Sequence, residues 1–213
     1  MGALKRWQEY ARQYGYAGLV RHIAARLLRP VWETAATQIL VLEPPVAGRS
    51  ARVPLEVRVL SRSEALAAHL LHPDWDRRWS RGDICYGGWV NGVCVHHSWV
   101  TTRDTLIGEV HGQIRVAPDE AYVYDCFTSA DCRGQGIFPA VLVHIGNALV
   151  GGGAARIWIA VEDENRSSIK AIERAGFQLA GEITYRRFAG SPQVSVRHES
   201  NQPSFGFASE SAG

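Results

Sequence analysis

Apolar and polar positions along this chain follow two periods, and the places where one gives way to the other mark most of its elements. In "LEVRVL" (55–60) apolar and charged residues take turns, the two-residue period of a half-buried strand. "DICYGGWVNGVCVHHSWVTT" (83–102) is two β-rich runs around Asn91-Gly92, a pair that tolerates positive φ in a two-residue hairpin turn. "TQILVLE" (37–43), "TLIGEVHGQIRV" (105–116), "EAYVYDCFT" (120–128), "ARIWIAV" (155–161) and "QLAGEITYRRF" (178–188) supply further strands. Helical spacing appears in "SRSEALAAHLLH" (61–72), with Ser61 or Ser63 as N-cap, and in "IFPAVLVHIGNALV" (137–150). It appears again in "NRSSIKAIERAG" (165–176), where Asn165 is a natural cap and Gly176 a natural stop.

Residues 4–28 place Leu4, Trp7, Ala11, Tyr14 and Gly18, then Val20, Ile23 and Leu27, at helical spacing that ends before Pro30. Strands first, then strand, helix, strand, helix and strand, predict a mixed α/β sheet with helices on its faces. The expected division is an N-terminal helix-and-strand extension (1–50), a main domain (51–190) and a C-terminal tail (191–213). "EPPVAGRSARVP" (43–54) reads as a linker, and the Ser-, Gly- and Asn-rich end of the tail as partly disordered.

Composition changes this picture in three respects. First, 23 Lys+Arg against 21 Asp+Glu leave a net charge of +2, which gives no case for a nucleic-acid partner. The charge is uneven, however: Lys5, Arg6, Arg12, Arg21, Arg26 and Arg29 face Glu9 alone in the first 30 residues. That basic face could meet anionic lipid or an acidic partner; the expectation is that it stands in water. Second, Cys85, Cys94, Cys126 and Cys132 lack C-x-x-C spacing and sit in or beside apolar strands, so buried free thiols are expected, with no metal. Third, no apolar run reaches the roughly 20 residues of a membrane span and no signal-peptide pattern is present, which predicts a cytoplasmic protein.

Candidate chemistry begins at "DCRGQGIFPA" (131–140). The chain leaves a strand, turns through Arg133, Gly134, Gln135 and Gly136, and starts a helix. A helix N-terminus offers unpaired N–H groups and a partial positive charge, so a glycine turn into one suits a phosphate; it also suits a tight turn and nothing more. The Gly-Lys-Ser/Thr end of nucleotide-hydrolase loops and the G-x-G-x-x-G dinucleotide fingerprint are both missing. Downstream, Asn165 opens an amphipathic helix closed by Ala175-Gly176-Phe177.

Together and in this order, the two pieces resemble the GNAT superfamily of N-acetyltransferases. Its phosphate motif, Arg/Gln-x-x-Gly-x-Gly/Ala, matches from Arg133 to Phe138, and its later Asn-to-Gly-Phe helix matches from Asn165 to Phe177. The resemblance covers about 55–188. It implies a mixed, mostly antiparallel sheet with flanking helices, in which the strands "AYVYDCFT" and "ARIWIAV" splay apart. It further implies that acetyl-CoA is the cosubstrate, that pantetheine lies in the gap near Cys126, Phe127 and Thr128, and that the diphosphate rests on Gly134, Gln135, Gly136, Ile137 and Phe138 beside Arg133. Asn165 would hold the pantetheine arm, with Ser168 beside it. Phe138 stands where the motif has a small residue, and Ile172 where many members place a Tyr acid.

The implied reaction is attack of an amine on a thioester, which needs a base because an alkylammonium has a pKa near ~10.4. Glu109, His97, Asp125 and Glu162 are the base candidates, each on or at the end of a predicted central strand, and Tyr124 is the acid candidate. "HPDWDRRWSRGD" (72–83), with Asp74, Trp75, Asp76 and Trp79, reads as an acceptor wall or as a solvated loop with its tryptophans in the core. The expectation is an acetyltransferase acting on a small-molecule amine, an amino sugar or amino-acid derivative. Alternatives are transfer of a longer acyl group from CoA or an acyl carrier protein, or a non-catalytic acyl-CoA-binding protein. A homodimer and a peripheral membrane contact through residues 4–28 are further candidate associations.

Overall fold

The computed structural model describes residues 32–47, 50–68, 70, 72–189 and 191–209. The helix expected over 4–28 lies outside them. Strands occupy β1 (Trp32–Leu42), β2 (Glu56–Val59), β3 (Ile84–Val90), β4 (Val93–Thr101), β5 (Thr105–Ile107), β6 (Gly112–Arg115), β7 (Glu120–Thr128), β8 (Arg156–Glu162), β9 (Gln178–Phe188), β10 (Ser191–His198) and β11 (Gly206–Ser209). Helices are α1 (Arg62–Ala67), α2 (Trp75–Arg81), α3 (Ile137–Gly151) and α4 (Arg166–Arg174).

Eight strands form one sheet in the order β10-β9-β1-β8-β7-β4-β3-β2, antiparallel except for the β7–β8 pair. The remaining three make a small sheet, β11-β6-β5. This is the mixed, mostly antiparallel sheet that the sequence led us to expect. Local signals explain several joints. Asn91 (φ 50°) and Gly92 (φ 77°) carry the β3–β4 hairpin turn. Ser61 caps α1 by accepting the Glu64 N–H, and the Glu64 carboxylate accepts the Ser61 N–H at 3.0 Å, a reciprocal cap.

The helices α3 and α4 cover one face of the sheet, where Val141, Leu142, Ile145, Ile169 and Ile172 pack on Leu40, Val123, Ile157 and Ile159. On the opposite face Tyr122, Trp158 and Ile183 pack with Ile107 and Ile114 of the small sheet, with Val110 of the turn between those two strands, and with Phe205. Further along that side, α2 inserts Trp75 against Trp99, ring centroids 5.3 Å apart.

Three boundaries differ from the sequence reading. The N-terminal segment is not merely an extension: β1 lies inside the sheet between β8 and β9, so the described part of 1–50 belongs to the core. The described part of the tail, 191–209, is built into the fold. β10 pairs along β9, β11 pairs with β6, and Phe205 is 5% exposed. Finally, 72–83 is not a loop throughout: it contains α2 (Trp75–Arg81), where Trp75 and Trp79 share one face at i, i+4 and Gly82 (φ 90°) terminates the helix. Trp75 is a core residue, in line with the reading that placed the tryptophans of this stretch in the core, and Asp76 pairs with Arg62 at 2.6 Å.

Candidate active site

The strands β7 and β8 run in parallel register only from Glu120–Arg156 to Val123–Ile159. Beyond that point each follows a different neighbour. β8 continues along β1, pairing Ala160 with Ile39 and Glu162 with Thr37, while β7 continues along β4 to Thr128. A bulge in β7 widens the divergence: Trp99 faces Tyr124 and His97 faces Phe127, so Ser98 alone stands opposite Asp125 and Cys126. Asp125 takes φ 46°, in the left-handed region. No described strand pairs with the β8-facing edge of β7 past Val123. A cleft of about 210 Å³ opens there, lined by Tyr124, Asp125 and Cys126 on one side and Ala160, Val161 and Glu162 on the other. Glu109, Phe138, Ile159, Asn165, Ser168 and Ile172 complete it.

At the base of the cleft begins α3. Gly134 (φ 77°) and Gly136 (φ 76°) make the turn, and no side chain caps the first turn of the helix. The left-handed φ at both positions is the physical reason for glycine there. From outside, the Arg52 N–H donates to the Gln135 carbonyl at 2.8 Å and steadies the loop. The Ile137 and Phe138 N–H groups lie in the first turn, where a helix has no internal acceptor for them; Pro139 has no N–H to leave unpaired. Arg133 folds back: its Nε donates to the Thr128 carbonyl at 3.1 Å and its guanidinium sits 5.8 Å from the Phe127 ring. The turn is thus a positively polarised cradle directly beside the strand gap.

The residues expected around pantetheine divide. Cys126, Asn165 and Ser168 line the cleft, and so does Phe138, which was expected at the diphosphate. Phe127 projects to the other side, 45% exposed and stacked on His97, and Thr128 bonds His96 Nδ1 through Oγ1 at 2.7 Å. Those two can contribute backbone only. The Asn165 side-chain oxygen accepts the Ser168 N–H at 3.2 Å to cap α4, which leaves its amide nitrogen with no bond among the described residues. Ile172 is 1% exposed and belongs to the core under α4 as well as to the cleft wall.

The catalytic candidates divide too. Glu109, in a single helical turn at 108–110, and Glu162, at the end of β8, both reach the cleft. Desolvation first, then the Glu109 carboxylate, raises the Glu162 pKa above the ordinary carboxylate value. His97 does not reach it: the ring packs edge-on against Trp75 at 4.8 Å, and burial pushes its pKa down to about 4. Asp125 lines the cleft, but its carboxylate is ion-paired with Arg78. Tyr124 also lines it, and its hydroxyl donates to Asp83 Oδ2 at 2.6 Å; burial and that carboxylate raise its pKa, so the phenol keeps its proton and shares it with Asp83. Cys126 is held up at about 12 by burial, and is a thiol rather than a thiolate. Sequence reasoning missed Arg78 and Asp83, whose only signal was the charge interleaved with Trp75 and Trp79.

Residues 56–177 match the family model for the acetyltransferase (GNAT) family, more than half of the chain. The chain belongs to the GNAT acetyltransferase family. Among solved structures it is similar to a GCN5-related N-acetyltransferase from Sphaerobacter thermophilus (TM-score 0.55, 13% identity, covering 84% of this chain and 67% of that one). It is also similar to one from Kribbella flavida (TM-score 0.53, 16% identity, 79% and 64%) and to a GNAT-family acetyltransferase from Colwellia psychrerythraea (TM-score 0.52, 16% identity, 74% and 57%). At these identities the likeness concerns the fold. The GNAT chain spans less than two thirds of the Kribbella and Colwellia proteins. No curated protein matches it. Among the described residues no helix is long and apolar enough to cross a membrane.

Proposed function

We propose that this GNAT protein transfers an acetyl group from acetyl-CoA to the primary amine of a small molecule, such as an amino sugar or amino-acid derivative. What carries the reading is the coincidence of the β7–β8 gap with the glycine-turned, uncapped N-terminus of α3. The residues fit the cosubstrate: the N-terminus of α3 would receive the diphosphate, the Asn165 amide the pantetheine arm, and the unpaired edge of β7 the acyl end. Acetyl-CoA supplies the activated acyl group; the protein supplies position and proton transfer. Backbone N–H groups along the open edge of β7 would polarise the thioester carbonyl, a contribution of the oxyanion-hole kind. Glu162 would accept the proton that the incoming ammonium must lose, and its raised pKa brings it closer to that task. Glu109 adds negative potential at the mouth, which favours a cationic acceptor. Glu162 would release that first proton to water, then take the second proton, which the nitrogen loses once the C–N bond has formed, and pass it to the thiolate that leaves as the C–S bond breaks, so no separate acid is required. A cleft of about 210 Å³ supports a short acyl group over a long one.

The test is thermal unfolding with and without acetyl-CoA, for the natural chain and for Gly134→Glu, followed by thiol release over an amine panel. A ligand at ~100 times its Kd stabilises the folded state by about 2.7 kcal/mol. The natural chain should shift; the variant carries about 1–2 kcal/mol of strain from a non-glycine residue at φ 77° but should still fold, since nothing lies within 4 Å of a Cβ there, and should not shift, because its charge opposes a diphosphate. No shift in either protein refutes the reading; binding with no turnover on any amine would favour an acyl-CoA-binding role.

A further inference from the structure

The acyl end of the cleft is shaped by an unusual piece of backbone. Asp125 is a non-glycine residue at φ 46° inside a strand, and the bulge it creates sets which side chains of β7 face the gap. Because side chains alternate along a strand, relaxing the bulge would shift the register by one and exchange the faces of Cys126 and Phe127. Cys126 would leave the cleft and the Phe127 ring would enter it.

What holds the bulge comes from a distant helix. The Arg78 guanidinium, on α2, is ion-paired with the Asp125 carboxylate. It also lies 5.1 Å from the centroid of the Tyr124 ring and 5.2 Å from that of Trp99, the pair that forms the last regular rung before the bulge. Its side chain is 18% exposed and that of Asp125 41%, so the pair is shielded on the guanidinium side and open to water on the carboxylate side. One turn later Arg81 bonds Asp83 at 2.7 Å, and Asp83 accepts the Tyr124 hydroxyl, a second link from the same helix to the same segment. The helix itself is fixed by Trp75 and Trp79 packed on Trp99. On the other face of the sheet, His96 bridges Thr128 and Ser98 at 2.7 and 2.8 Å, so the strand is tied on both sides of the irregularity.

We propose that Arg78 is a positioning residue: by pairing with Asp125 it holds the left-handed bulge of β7, and through it the backbone that contacts the acyl group. This rests on the acetyl-CoA reading above. Arg78 lines no part of the cleft and acts through the residues it touches there, Asp125 first and the Tyr124 ring beside it. Arginine suits the place because its flat cation can lie against two rings while its fork engages a carboxylate, a combination lysine lacks.

The experiment compares affinities for acetyl-CoA and for CoA by calorimetry, since only the first presents an acyl group to the bulge. Proteins are the natural chain, Arg78→Met, Asp125→Asn and the double variant Arg78→Met/Asp125→Gly. The natural chain should prefer acetyl-CoA. In Arg78→Met that preference should fall by about tenfold, with CoA affinity changed less than about twofold. Glycine adopts positive φ unaided, so the double variant should regain most of the preference that Arg78→Met loses. Should Arg78→Met fail to fold, Asp125→Asn, which keeps the tolerance for positive φ but breaks the ion pair, should lower the preference similarly. Equal weakening toward both ligands, no effect in folded variants, or no recovery with glycine overturns the proposal. A natural chain that binds both ligands without preference overturns it too, while one that binds neither overturns the functional reading itself.

Discussion

Acidification should destabilise this protein through a buried histidine that does not line the cleft. His96 is 2% exposed, with both ring nitrogens hydrogen-bonded, to Thr128 and Ser98, and its ring stacked 5.5 Å from Phe138. Burial, then neighbouring His97, lowers its pKa to about 3 from an ordinary value of 6.5. Its folded value lies below its unfolded value, so between the two the unfolded chain binds a proton that the folded chain refuses. The stabilisation is complete above 6.5 and is lost as pH falls toward 3. In that window stability falls by about 1.4 kcal/mol per pH unit, or roughly 2–3 kcal/mol from pH 6.5 to 4.5, out of a typical total of 5–15. The assay is urea unfolding at about pH 7, 5.5 and 4.5 for the natural chain and for His96→Asn. Asparagine cannot titrate and can still bond one of the two partners. The variant should be less stable at neutral pH but flatter, its slope smaller by about 1.4 kcal/mol per unit below pH 6. His97 and the carboxylates are common to both proteins and cancel. Parallel loss of stability in the two would refute the reasoning.

Two further outcomes are expected. Glu162→Gln should slow acetyl transfer by about 10²- to 10⁴-fold and abolish a rise in rate that, in the natural chain, is centred above the usual carboxylate range; an unchanged pH–rate profile would remove Glu162 as the base. Phe205→Ala, which empties a site against Trp158 (ring centroids 6.2 Å) and His198 (4.5 Å), should destabilise the fold by about 3–5 kcal/mol in urea unfolding. A change near zero would mean that the C-terminal segment is not part of the core.

Local chemistry in the sequence foretold the parts of the fold that depend on a few adjacent residues. Asn91-Gly92 gave the hairpin, Asn165 the cap of α4, and Gly134 with Gly136 the turn into α3. What escaped was set by distant partners. Nothing within "TQILVLE" says that it will enter the sheet between β8 and β9, and nothing within "SPQVSVRH" says that β9 will offer it a free edge. The base candidates were chosen by strand position. Glu109, Asp125 and Glu162 do reach the cleft, whereas His97 lies with Trp75 and Phe127 on the other side of β4. Alternation cannot place a side chain across a bulge it does not foresee, and an Asp at positive φ has no signature in the sequence.

The position of β1 has a consequence for how the chain is made. It leaves the ribosome ahead of every other described strand, yet Thr37 pairs with Glu162 and Ile39 with Gly181, so its two edges wait for residues more than a hundred positions downstream. Until then "QILVL" is an apolar strand with two open edges, the kind of segment that sticks to its like. Without it, β9 and β10 have no strand to join them to β8. Closure of the sheet is therefore a late, non-local event, and yield at high expression temperature should depend on what shields that one segment in the nascent chain.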